Sequence, residues 1–153
     1  MEMKKLILLT DILGIWVLNS NKGYKNLLKI FCKKHNIEFK KVLKIRGKFF
    51  RKYRKLARVG KISYHEFEEM FFKLIDKKRY KKLAREYIKF EIENCNMFLK
   101  LNKNAKEVLK KIKKMYIKII GITDSIKPSK LKREEIKALG IWDILIKFTA
   151  HTI

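Results

Sequence analysis

The apolar run Leu6-Ile7-Leu8-Leu9 stops abruptly on Thr10-Asp11, and the same event recurs where Tyr116-Ile117-Lys118-Ile119-Ile120-Gly121-Ile122 stops on Thr123-Asp124-Ser125. Runs this short, with such abrupt polar ends, suit buried parallel strands better than helices. Between them the period becomes helical. Leu27, Leu28, Phe31 and Cys32 recur at helical spacing over residues 24–35, after a predicted turn at 19–23. Residues 39–57 repeat the pattern with Val42, Leu43, Phe49, Phe50, Tyr53 and Leu56, although Gly47 weakens that helix. Ser63-Tyr64-His65-Glu66 is a capping-box sequence, and it opens a helix predicted to bury Phe67, Met70, Phe71, Leu74 and Ile75. Further helices are predicted over 80–94, with Leu83, Ala84, Tyr87 and Ile88 inward, and over 104–115, with Val108, Leu109 and Ile112 inward. Pro128-Ser129 starts one more, which Gly140 ends, and residues 142–148 read as a third strand.

This order predicts an α/β fold with a three-stranded parallel sheet and right-handed crossovers. The helical block at residues 24–94 reads as an insertion into a core made of 1–23 and 95–153. At 153 residues, 47% hydrophobic and 12% aromatic, the chain has the material for one packed core. Cys32 and Cys95 lie far apart with no metal-binding spacing, as expected of buried thiols in a reducing cytoplasm. The apolar start is interrupted by Asp11 and is too short to span a bilayer, so a soluble cytoplasmic protein is expected.

Charge sets a second constraint. Forty Lys and Arg face fifteen Asp and Glu, a net +25 that attracts polyanions without specificity. The Lys- and Ile-rich composition suggests a thermophilic source, yet thermophiles usually raise Glu with Lys, and here acids lag. Ten of the cations fall between Lys40 and Arg58 with no acid among them, interleaved with Phe49, Phe50 and Tyr53. One reading makes this a nonspecific nucleic-acid face, with Lys48, Arg51, Lys52 and Lys55 on phosphates. The other makes the aromatics core and the lysines a solvated face, and exposed aromatics would favour the first. His35, His65 and His151 have no partner at metal-ligand spacing.

Ligands of open parallel sheets bind beyond the carboxyl ends of the strands, where Asp11 and Thr123-Asp124-Ser125 stand. A carboxylate beside a hydroxyl there can form an acyl phosphate and hold phosphoryl oxygens. Polar residues at strand ends are, however, also ordinary turn starters.

The segment from Leu6 through Thr10-Asp11-Ile12-Leu13-Gly14-Ile15 resembles the first motif of the haloacid dehalogenase-like (HAD) hydrolases, a strand ending in Asp-x-Asp-Gly-Thr. Lys118-Ile119-Ile120-Gly121-Ile122-Thr123-Asp124-Ser125 resembles the second, a strand ending in Thr or Ser. Ala138-Leu139-Gly140-Ile141-Trp142-Asp143 and Phe148-Thr149-Ala150-His151-Thr152 resemble the approach to that family's Lys-Pro element.

The resemblance implies a Rossmannoid sheet with an inserted helical cap and phosphoryl-type chemistry on a small phosphorylated substrate. Asp11 would be the nucleophile, and Thr123 would bind the phosphoryl group beside Asp124 and Ser125. Mg2+ would sit on Asp11 and the backbone carbonyl of Leu13. Two departures stand out. Leu13 replaces the second acid and cannot protonate a leaving group, as in relatives acting on carbon–halogen or carbon–phosphorus bonds, and Ile15 replaces the threonine. The sequence also stops before the Lys-Pro element and the acidic metal-binding motif, which implies a truncated, incomplete site, inactive alone and weak for Mg2+. The uncovered edge of Leu6 to Leu9 is expected to drive self-association or to dock a complementing fragment.

Overall fold

The computed structural model describes residues 6–115, 117–145 and 147–151. The chain runs β1 (Ile7–Asp11), β2 (Val17–Asn19), α1 (Asn21–Lys34), α2 (Phe39–Arg58), α3 (Tyr64–Lys73), α4 (Tyr80–Glu93), β3 (Leu99–Leu101), α5 (Ala105–Lys114), β4 (Lys118–Asp124), α6 (Ser129–Ala138) and β5 (Lys147–His151). Single 3-10 turns stand at Cys95–Met97 and Trp142–Ile144.

The apolar runs form a parallel sheet in the order β1-β4-β5, with Leu9 opposite Ile120 and Asp11 opposite Ile122. Alternation along β4 buries Ile119, Gly121 and Thr123 and leaves Lys118 and Asp124 exposed. At β1, Leu6, Ile7 and Leu9 remain 60–63% exposed.

Helices α1 to α4 lie between β2 and β3, and these two strands pair antiparallel, Val17 with Leu101 and Asn19 with Leu99. The chain therefore leaves the sheet and returns to it through one two-stranded stem. Sequence periodicity does not reveal that stem, because three-residue strands are too short to display an alternation. Of the residues predicted as a turn at 19–23, Asn19 instead ends β2 and 21–23 begin α1. Ser20 caps it, its Oγ accepting from the Gly23 amide at 3.0 Å. Gly23 is required there, since an added Cβ would lie 1.9 Å from the Met97 carbonyl oxygen.

The capping box at Ser63 and Glu66 forms as expected, and α2 runs unbroken through Gly47. In α3, Phe72 joins Phe67 and Phe71 in the core while Leu74 faces out. Phe31, Phe72 and Tyr87 pack ring against ring at 5.1–5.7 Å, and Phe49 meets Phe67 at 4.9 Å. Each such ring contributes about 1.5–3 kcal/mol relative to exposure. The third strand starts later than predicted. Ile141, Ile144 and Leu145 are buried at i, i+3, i+4, a helical spacing that makes 142–144 a turn and moves the strand to Lys147. Among the described residues no helix is long and apolar enough to cross a membrane.

Candidate functional site

A cleft of about 560 Å³ opens where the strand ends meet the helical block. Its floor includes Leu13, after β1, and Asp124, Ser125, Ile126 and Lys127, at and after the end of β4. The opposite wall comes from two helical stripes, Asn21, Tyr24, Lys25 and Leu28 of α1 and Leu43, Arg46, Gly47, Phe50, Arg54 and Arg58 of α2. The spacing of three and four residues brings each stripe onto one face. The basic helix is thus divided. Arg54 and Arg58 look into the cleft, Arg46 is buried beside it, and Lys48, Arg51, Lys52 and Lys55 are exposed outside its lining. Phe49 is buried, while Phe50 and Tyr53 pack against the same core. These rings serve the core and offer no stacking platform.

Acids that line the cleft are each matched by a base. Arg46 donates from both terminal nitrogens to Glu68, 3.0 Å each, and also to the Tyr24 hydroxyl, which in turn meets the Tyr87 hydroxyl at 2.6 Å. Its guanidinium lies 4.6–5.5 Å from the rings of Tyr24, Phe50, Phe71 and Tyr87. Such an enclosed cation is tolerable only because it is paired and faces ring quadrupoles.

Lys127 bridges Glu91 at 3.1 Å and Glu135 at 2.5 Å, and Lys132 adds a second contact to Glu135 at 2.6 Å. Burial alone would raise the Glu135 carboxyl, but the ammoniums of Lys127 and Lys132 outweigh it and hold it below the ordinary glutamate range. Tyr64 donates to the other Glu91 oxygen at 2.6 Å. Across the cleft, Arg58 pairs with Asp124.

The sequence counts Arg46 only as one of ten cations in 40–58 and does not single out Glu68, Glu91, Lys132 or Glu135. Their signal is a charge at an apolar-stripe position. Glu68 stands beside Phe67 in a helix that buries Phe71 and Phe72, and Glu91 follows Tyr87 by four residues.

The two residues singled out for chemistry are not brought together. Asp11 is exposed and shares a sheet face with Ile122, while the inward alternation of β4 turns Thr123 into the core. Thr123 lines a void of about 10 Å³ with Ile12, Leu13, Val17 and Leu99. Its Oγ1 is buried without a hydrogen-bond partner among the described residues. Asp124 and Ser125 line the cleft, and Asp11 is in neither lining. The turn after β1 is tight, with Gly14 at φ +86° and its amide donating to the Val17 carbonyl at 2.9 Å.

The ligands that the resemblance implies are the Asp11 carboxylate and the Leu13 carbonyl, and the neighbouring strand end adds only Asp124, which Arg58 engages. No three His, Cys, Asp or Glu side chains converge among the described residues. A hard octahedral cation needs more oxygens than these, so the described residues do not fit magnesium. Cys32 and Cys95 are buried free thiols, and burial pushes Cys32 up to about 11.

A parallel sheet interrupted after its first strand by a helical block has close counterparts among solved structures. HAD-hydrolase YfnB from Bacillus subtilis, in a form bound to magnesium, superposes with a TM-score of 0.64 at 14% identity, over 96% of this chain and 66% of its own. The fold is HAD-like. A β-phosphoglucomutase from Thermotoga maritima matches with a TM-score of 0.56 at 14% identity, over 96% and 61% of the two chains. A 2-haloacid dehalogenase from Pseudomonas syringae pv. Tomato gives 0.64 at 12%, over 97% and 64%. The chain thus spans slightly less than two thirds of these HAD-like proteins. No family model matches the sequence, and no curated protein matches it.

Proposed function

We propose that this chain is the substrate-binding and nucleophile-bearing part of a HAD-like hydrolase, with residues 1–23 and 95–153 as core and 24–94 as cap. The observation that carries the reading is the cleft, which joins the ends of the first two motif strands to a wall of cations from α1 and α2. A small phosphorylated substrate would place its phosphoryl group at Ser125, in the turn after β4, and both Asp11 and Thr123 would have to turn toward the cleft for Asp11 to attack phosphorus, form an acyl phosphate and expel the leaving group. Leu13 supplies no proton, so the reaction is suited to a leaving group already stable as an anion. With Leu13 in place of the second motif acid, these 153 residues are expected to bind a phosphorylated substrate better than they turn it over.

The competing reading is a polyanion-binding protein, favoured by the exposed row Lys48, Arg51, Lys52 and Lys55 on the outer side of α2. Titration with orthophosphate, followed through assigned backbone amides, separates the two. Shifts gathered at Leu13 and residues 123–127 are expected. Shifts confined to the outer side of α2 would overturn the hydrolase reading in favour of the competitor.

A further inference from the structure

Charges lining the cleft do not cancel. Six bases, Lys25, Arg46, Arg54, Arg58, Lys127 and Lys132, share its walls with three acids, Glu68, Glu91 and Asp124. Arg46 is matched by Glu68, Lys127 by Glu91, Arg58 by Asp124, and Lys132 by Glu135 from behind the wall. Lys25 and Arg54 have no ion-pair partner among the described residues. Both stand on the helical wall, opposite the strand ends. Arg46, in the same stripe of α2, is enclosed and already committed to Glu68 and Tyr24, which leaves Lys25 and Arg54 as the cleft cations open to a ligand.

Gly47 lies in the same stripe, and a Cβ added there would meet nothing within 4 Å. The wall therefore has open space next to the unmatched cations. Charge excess and room coincide on the side of the cleft away from the strand ends.

Resting on the reading of the cleft as a substrate site, we infer that Lys25 and Arg54 form a second anion subsite. The substrate then carries two anionic groups. One sits at Ser125, in the turn after β4, for chemistry, and the other, a phosphate or carboxylate, is held by the helices. Specificity would come from the distance between these groups, since a singly charged ester of the same length leaves the helical cations unused.

The test compares propyl phosphate with 1,3-propanediol bisphosphate on the full 153-residue chain by calorimetric titration at constant ionic strength. The bisphosphate is expected to bind tighter by about tenfold or more, the scale of one charge-assisted hydrogen bond. Lys25→Ala/Arg54→Ala should bring the ratio of affinities close to one. Lys52→Ala/Lys55→Ala removes equal charge outside the cleft and should preserve the ratio. All four side chains are exposed, so both variants are expected to fold. Propyl phosphate binding with a ratio near one in the unaltered chain would sink the second subsite and leave the cleft reading standing. An equal fall of the ratio in both variants would reduce the effect to net charge and also overturn the subsite. Failure of both ligands to bind would remove the cleft reading and the subsite together.

Discussion

Lys127, in the turn after β4, holds its Nζ 3.1 Å from Oε1 of Glu91 on α4, so one ion pair ties the sheet to the helical block. The same ammonium reaches Glu135 on α6, and the ring of Phe98 lies 5.2 Å away. Both carboxylates are buried. Loss of the lysine leaves buried Glu91 with only the Tyr64 hydroxyl and Glu135 with only Lys132, and removing one partner of a buried pair typically costs about 3–5 kcal/mol. Lys127→Met should lose that much in urea denaturation. A loss below about 1 kcal/mol would show that water already compensates these acids.

Acid should act on the same cluster. The Glu135 carboxyl is held below its unfolded value near 4.3. A depressed carboxyl contributes stability that is fully present above the unfolded value and is lost as pH falls through the folded one. Midpoints of urea unfolding should therefore decline below about pH 4.3, with Glu135→Gln weaker at neutral pH and flatter across the acid limb. Parallel curves for the two proteins would assign the decline to other groups.

Two glycines should respond in opposite directions. Gly23→Ala forces a methyl into the Met97 carbonyl, so α1 must move off the turn Cys95–Met97. A cost of about 2 kcal/mol or more is expected. Gly47→Ala has open space and sits within α2, so it should gain about 0.5–1 kcal/mol from helix propensity. Thermal melts of both variants check the pair, and a tolerated Gly23→Ala would contradict the close approach.

Catalysis is expected to be absent. The 153-residue chain should show no magnesium-dependent hydrolysis of aryl phosphates above background, because Leu13 offers no acid and parts that act as a unit fail together. Measured turnover that Asp11→Asn abolishes would refute this and would establish Asp11 as the nucleophile.

The edge of β1 should make the protein associate. Leu6, Ile7 and Leu9 are more than half exposed, and on one side β1 has no partner strand among the described residues. Such an edge recruits another strand. Light scattering at micromolar concentration should report oligomers, and Ile7→Lys/Leu9→Glu should reduce them. A monomer with slow amide exchange across residues 6–9 would count against association through this edge.

What the sequence determined by itself was the set of elements whose patterns are local. Abrupt apolar runs specified β1 and β4, the 3.6-residue period specified α1 to α5, and Ser63 with Glu66 specified where α3 begins. These signals need only neighbours along the chain. The resemblance at residues 6–15 and 118–125 led to the same HAD-like fold that superposition shows. The tertiary structure alone decided the rest. Stem strands β2 and β3 exist because Val17–Asn19 and Leu99–Leu101 find each other across the helical block, a pairing with no local signature. The basic helix, one uniform run in sequence, became a buried arginine, a cleft wall and an outer face according to what packs against each side of it. Asp11 and Thr123, equivalent as polar strand ends, fell on opposite faces because side chains alternate along a strand while the register placed Asp11 against Ile122. Packing and register are relations between distant segments, and a one-dimensional pattern cannot carry them.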